Sequence, residues 1–441
     1  MSIEWITILV FGSMVLVMLM GLPVAFATGF VGILFTAIFQ GPESVNVVPT
    51  RIFGLMTNYL LDAIPLFILM ANILERSGII EDIYLMVYHW LGWLKGGVAT
   101  ATVAACTMMA AMAGVVGATE VTMGMIALPQ MLNRKYDKGL ALGGILAGGT
   151  LGILIPPSVM LIVYGMVDNS SIGQLYAGAF LPGFMLAGLY MLYITIRCYI
   201  NPKLGPPVPK EERLNWIGLI KVAAPIIPAA ILIFIVLGTI VIGVAAPTEA
   251  AGVGCLGAWI IGVMKGRMSW KALVLAAQNT IKATGMVMWT MFGANIFIAL
   301  YIMVGGGDFV NAMLLGSGLS PWTVIWIMMG ILIFLGCFID WVGIIMLTIP
   351  LFGPIIRQLG FDPVWFGVLF AVNMQLSFLT PPFGMSLFYL KSVAPPEIST
   401  VDVWKSAFPF LGLQFIGLVL CMYIPEIILY VPKTFLRGGF S

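Results

Sequence analysis

Two carboxylates, Glu120 and Asp340, stand inside long apolar stretches, in "AGVVGATE" (113–120) and "GCFIDWVG" (336–343). An ionised side chain at membrane depth costs several kcal/mol unless it is paired or bound, so each acid is a candidate for cation or proton chemistry. Some 30 to 45 residues on, "GTLGILIPPS" (149–158) and "FLTPPFG" (378–384) place a double proline in another apolar run. Proline removes a backbone donor and stops an α-helix, and a helix broken at that depth presents carbonyl oxygens and helix ends that can hold ions and anionic groups. Sodium is a hard cation that takes oxygen ligands. The first tip offers Gly114 and Gly117 for a tight turn, with Thr119 and Glu120. Its partner break offers Gly149, Thr150, Gly152, Ile155 and Pro157. The second tip supplies Asp340, and its partner break supplies Asn373, Gln375, Thr380 and Gly384. Asp340 either coordinates a cation or holds the turn as a helix cap, and Glu120 either serves ion or proton coupling or caps a helix near water. No Lys or Arg lies at the centre of an apolar run. An anionic substrate would therefore rest on helix N-termini, hydroxyls and amides, with Gly117, Thr119, Thr150, Asn373 and Gln375 as candidates.

The elements that carry these residues follow from hydropathy. Of 441 residues, 61% are hydrophobic and 9% charged, which is an integral membrane composition. The apolar runs have the length of helices and lack the alternation of an outer-membrane barrel, so an all-α polytopic protein is expected. They fall near 3–20, 22–40, 53–75, 97–132, 139–166, 173–200, 216–243, 245–264, 278–304, 320–357, 363–390 and 405–432. The runs 97–132 and 320–357 are too long for one span and too short for two, and read as re-entrant helical hairpins. The runs 139–166 and 363–390 read as broken helices. With each hairpin returning to its own side, only Arg51, Arg357, Lys433 and Arg437 lie on the outer face. That leaves 16 of the 20 basic residues inside, as the positive-inside rule requires, and places both termini in the periplasm.

A repeat appears at an offset of 225 residues. Pro129, Asp137, Pro156 and Pro157 match Pro354, Asp362, Pro381 and Pro382, in "LPQMLNRKYDKG" and "LIPPS" against "GPIIRQLGFDPV" and "LTPPF". Five crossings separate the copies, so they form inverted repeats, an architecture associated with alternating access. The expected organisation is N-terminal scaffold helices at 1–52, a first repeat at 53–200, a loop and central scaffold helices at 201–277, a second repeat at 278–432 and a tail at 433–441. The first apolar run lacks a basic leader and cleavage site and reads as a retained helix.

Several functions are disfavoured. No nucleotide-binding G-x-x-x-x-G-K-[ST], no G-x-S-x-G and no H-E-x-x-H occurs, so an enzyme is not expected. The five cysteines have no paired spacing and His89 has no metal-ligating companion. A net charge of +2 with basic residues confined to short loops gives no footprint for nucleic acid. The work done must draw on an existing gradient, and symport driven by sodium and the membrane potential fits the paired breaks.

Residues 113–158, "APTEAAGVG" (246–254), "FLTPPFG" (378–384) and "PLFILMANILERSGI" (65–79) together resemble the large membrane subunit of tripartite ATP-independent periplasmic (TRAP) transporters, over nearly the whole chain. The resemblance implies an elevator-type transporter in the bacterial inner membrane, embedded in membrane lipid. It also implies a small membrane subunit and a periplasmic substrate-binding protein as partners, with a small organic anion as substrate and Na+ as the coupling ion. Where the family's first hairpin commonly reads Ser-Gly-Ser-Ser-x-Ala-Thr, this chain has Ala113, Gly114, Val115, Val116, Gly117, Ala118 and Thr119. With the serine hydroxyls missing, the first cation site would use backbone carbonyls near Ala113 and Val115, facing Gly152, Ile155 and Pro157. The second site carries over onto Asp340, Thr380 and Met385. The runner-up is a stand-alone ion-coupled symporter or antiporter of the wider ion-transporter superfamily.

Overall fold

The computed structural model describes residues 1–114, 116–381 and 384–435. These are helical almost throughout, with no strand among them. Val115, Pro382 and Arg437, all singled out above, lie outside the described residues, as does the tail beyond residue 435. The chain opens with α1 (Ile3–Leu19) and α2 (Val24–Gln40), then α3 (Val47–Met56) and α4 (Ala63–Arg76), which meet at a 58° bend. The segment 76–96, expected as a loop, contains α5 (Ile79–Leu91), whose Ile79, Ile83 and Val87 recur every four residues on a buried stripe.

The run 97–132 divides into α6 (Gly97–Ala113) and α7 (Val116–Asn133) at Gly114, which adopts the left-handed conformation with φ +61°. Gly117, expected in the turn, instead sits inside the first turn of α7, because one left-handed glycine is enough to end α6. Next comes α8 (Lys138–Thr150), which tightens into a 3-10 turn at Leu151–Ile153 and stops before Pro156 and Pro157. Ser158 then caps α9 (Val159–Asp168) through the Leu161 N–H, and α10 (Ile172–Ile200) follows. The central helices are α11 (Trp216–Ala223), α12 (Ile227–Ile242), α13 (Pro247–Met264) and α14 (Trp270–Met303), followed by a short α15 (Gly306–Leu315).

The second half holds α16 (Pro321–Gly336), α17 (Trp341–Gln358), α18 (Pro363–Leu379), α19 (Met385–Val393), α20 (Thr400–Tyr423) and α21 (Glu426–Phe435). The run 405–432, expected as one segment, is two helices. Pro425 lacks the N–H that would continue α20 and pushes Ile424 out of helical geometry, to φ −120° and ψ 76°. Helix starts recur between the halves. α7, α8 and α9 begin at Val116, Lys138 and Val159, while α17, α18 and α19 begin at Trp341, Pro363 and Met385, which is 225, 225 and 226 residues later. Asp137 and Asp362 do the same work at matched positions. Asp137 accepts the Leu140 N–H at 3.1 Å, and Asp362 accepts those of Val364 and Trp365 at 2.8 and 3.3 Å.

Packing arranges the helices in two groups that meet where α14 lies against α17 and α4 against α6. α2 and α4 lie against α14, and α4 and α12 lie against α13. In the other group α6 and α7 flank α8, α16 flanks α18, and the halves interlock: α7 packs on α19, and α17 packs on α9. The interlocked group encloses many of the largest buried side chains. Trp365, Tyr164, Tyr176, Tyr190, Phe370 and Phe410 are fully enclosed, and Gly367 and Gly143 let the rings of Tyr164 and Phe410 approach their backbones. Two of the enclosed rings have their polar atoms matched. Trp365 Nε1 donates to the Cys421 carbonyl at 3.0 Å, and the Tyr176 hydroxyl to that of Ser158 at 3.3 Å. Arg357 at the end of α17 donates to the Asp168 carbonyl at 2.7 Å and pairs with its buried carboxylate at 2.9 Å.

Six helical stretches are long and apolar enough to cross a membrane, or seven if the bent pair is one span, counted among the described residues. Large side chains such as Leu16, Phe234 and Trp270 are exposed, which suits a lipid solvent. The protein is a multi-pass membrane protein.

Residues 201–213 form a strap across one end of the interlocked group. Gly96 N–H donates to the Gly205 carbonyl at 2.8 Å, Asp137 N–H to that of Leu204 at 2.9 Å, and Val208 N–H to that of Gly92 at 2.9 Å. Arg134 pairs with Glu212 and lies over the Tyr88 ring. Nearby, Lys265 pairs with Asp82 and ties α13 to α5.

Candidate functional site

The first hairpin tip and the first break touch. A Cβ added at Gly114 would lie 2.4 Å from the Pro157 carbonyl oxygen, so the end of α6, with Ala113, abuts the Pro-Pro turn. α6 also packs along the 3-10 turn that contains Gly152. Among the described residues, none donates a hydrogen bond to the carbonyl of Ile155 or Pro157. These are oxygens that a cation could use without any side-chain charge.

At the second break the backbone closes on itself. Thr380 ends α18 in extended geometry, its carbonyl accepts the Gly384 N–H at 3.0 Å and its hydroxyl donates to the Leu376 carbonyl at 2.6 Å. Gly384 is required there because a Cβ would lie 2.4 Å from the Phe378 carbonyl oxygen. Met385, the first residue of α19, is exposed. Asp340 occupies the N-cap of α17, where the helix dipole favours an anion. Tyr389 of α19 stands within electrostatic reach of both Asp340 and Glu120, and its ring lies against Gly117. The two acids named from sequence are thus brought near one tyrosine.

The candidate substrate residues fall into three places. Thr150 and Gln375 meet: the Thr150 hydroxyl lies 3.3 Å from Gln375 Oε1 and accepts from Gln414 Nε2 at 3.1 Å. Asn373 turns away toward α16, donating to the Met329 carbonyl at 3.0 Å. Thr119 is fully buried, its hydroxyl has no partner among the described residues, and it lines a cavity of about 170 Å³. That cavity lies between α7 and the pair α4 and α14, with Asn72, Glu75, Thr122 and Asn279 on its walls. Asn72 is oriented by its own bonds, from Nδ2 to the Ile68 carbonyl at 2.9 Å and to the Thr280 hydroxyl at 3.2 Å.

Sequence reasoning did not single out Asn72, Glu75, Asn279, Gln414, Ser386 or Tyr389. Asn72 and Glu75 carry a signal, because their i, i+3 spacing places two polar groups on one face of an otherwise apolar helix. Among the described residues no cluster of three or more His, Cys, Asp or Glu could hold a metal ion. Away from the membrane-spanning helices, partial burial on α5 holds the His89 imidazole below its usual range, which favours the neutral ring.

Residues 11–427 match the family model described as "Tripartite ATP-independent periplasmic transporter, DctM component". The C4-dicarboxylate TRAP transporter large permease protein DctM of Vibrio cholerae is 32% identical, with 99% of each chain covered. The sialic acid TRAP transporter large permease protein SiaM of the same organism is 28% identical over 95% of this chain and 96% of its own. Among solved structures, Neisseria gonorrhoeae MtrF, described with a class of antimetabolite efflux pumps, superposes with a TM-score of 0.57 at 14% identity, covering 92% of this chain and 87% of that one. This last likeness is one of fold.

Proposed function

We propose that this chain, which belongs to the DctM component family of tripartite ATP-independent periplasmic transporters, carries a small organic anion inward with sodium by an elevator motion. A DctM component is a transport subunit and not an enzyme. The observation that carries the reading is the cavity between the two helix groups. Thr119 and Thr122 on one wall belong to the interlocked group, and Asn72 and Asn279 on the other belong to the group of α2, α4, α12, α13 and α14. A substrate seated there touches both bodies and would be carried when one slides on the other. Its volume suits a small acid, and its polar wall groups are the hydroxyls of Thr119 and Thr122, the amides of Asn72 and Asn279 and the carboxyl of Glu75.

Inverted repeats are supported by the recurring helix starts and by the reciprocal packing of α7 on α19 and α17 on α9. Thr150 and Gln375, 225 positions apart, touch each other, as matched residues do where a pseudo-two-fold axis passes. In this reading the hairpins are re-entrant. The first sodium is held by the carbonyls at Ala113, Val115, Gly152, Ile155 and Pro157, the second at Asp340, Thr380 and Met385. The termini face the periplasm, a small membrane subunit completes the scaffold, and a periplasmic binding protein delivers the substrate.

The experiment is uptake into proteoliposomes holding this chain and its small subunit, with the binding protein outside and a panel of labelled organic acids. Uptake that needs both an inward sodium gradient and the binding protein is expected. Uptake indifferent to both would sink the reading in favour of a stand-alone carrier.

A further inference from the structure

Going beyond sodium coupling, we propose that Glu120 takes up and releases one proton in each transport cycle. Glu120 sits in the second turn of α7 with no solvent exposure, and neither carboxyl oxygen has a hydrogen-bond partner among the described residues. Its stem is wedged on α8, where a Cβ at Gly149 would lie 2.2 Å from Glu120 Cγ. The groups that face it are few. α6 presents Cys106 and α19 presents Ser386 and Tyr389, while Lys138 stands at the other end of α8 from Gly149 and Lys391 of α19 is turned to the Ile398 carbonyl. No cationic side chain faces it. Tyr389 in turn stands within electrostatic reach of Asp340.

A bare carboxylate in such surroundings is costly, and a cationic side chain, a metal ion or a proton can remove that cost. The first is missing. A hard metal ion asks for several converging oxygens, and the described side chains add only two neutral hydroxyls, that of Tyr389 and that of Ser386, the latter buried and unpartnered. A proton needs one oxygen, and the resulting acid gains a hydroxyl to donate to. The step is a proton transfer with no redox change. Water on one side gives H+ to the carboxylate, and the neutral acid travels while α7 and α19 are packed. When those helices part on the other side, the acid returns H+ to water and the carboxylate is regenerated.

Infrared difference spectroscopy of the purified two-subunit complex in lipid reads the first half of the proposal. A protonated-carboxyl carbonyl band at neutral pH is expected, absent in Glu120→Gln, retained in Asp340→Asn, and moved to higher frequency in Ser386→Ala, which loses the acceptor. The Ser386→Ala shift tests the assignment even if the Gln variant does not fold. Uptake at a fixed sodium gradient reads the second half: stimulation by an inward proton gradient is expected in the parent and lost in Glu120→Gln. Absence of the band, or a proton-gradient response equal in the two proteins, overturns the proposal. The band is measured without transport, so a failure of sodium coupling would leave the infrared result standing.

Discussion

A methyl group at position 114 has nowhere to go. The backbone there is left-handed, which costs a non-glycine residue about 1–2 kcal/mol, and the Pro157 carbonyl fills the space a Cβ would need. The strain can be relieved only by moving the tip away from the break, the same approach that gathers the free carbonyls of Ile155 and Pro157. Gly114→Ala is therefore expected to fold but to weaken apparent sodium affinity roughly tenfold, since about 1.4 kcal/mol corresponds to that factor. The sodium dependence of uptake checks this, with Gly12→Ala as a control, because no atom lies within 4 Å of its Cβ position. Equal sodium curves for the two variants would dissociate the tip from ion binding.

At the scale of the helices, the breaks do their work through what restarts them. Asp362 holds two N–H groups at the start of α18 next to Pro363, and Asp362→Ala is expected to cost about 1 kcal/mol of stability, read as a lowered Tm in detergent, with Asp362→Asn nearly neutral. An unchanged Tm for the Ala variant would mean that tertiary packing alone fixes the helix start. These caps explain why so much was legible in the sequence. Pro156, Pro157 and Asp362 act on their own backbone neighbours, so their effect is written locally, and the four divided runs came out near their observed bounds. The bend between α3 and α4 and the helices α5 and α15 left weaker traces, because what stabilises them is contact with distant elements. The same reason hid the cavity. Asn72, Thr122 and Asn279 are far apart in the chain and become neighbours only when α4, α7 and α14 pack, whereas the tip and the break announced themselves through glycine and proline.

For the whole molecule, the division into two helix groups sets what can move. If the wall bearing Thr122 slides past the wall bearing Asn72, a covalent tie between them must stop transport. In a cysteine-free background, a short bifunctional thiol reagent is expected to abolish whatever uptake the Asn72→Cys, Thr122→Cys double variant shows before treatment, whereas each single variant should keep its own untreated level. Full cross-linking with undiminished uptake would show that the two groups do not move apart at this cavity.

The strap at 201–213 bears on how such experiments are built. A polar connection of that length is the usual place to splice in an epitope or a fluorescent reporter, and the usual place for a protease to cut. Here it is a clasp: Gly205 and Val208 hold the turn before α6, Leu204 holds the turn before α8, and Glu212 holds Arg134. An insertion there would unfasten two turns at once, so the turn at Gly318, whose Cβ position faces open space, is the better site for a reporter.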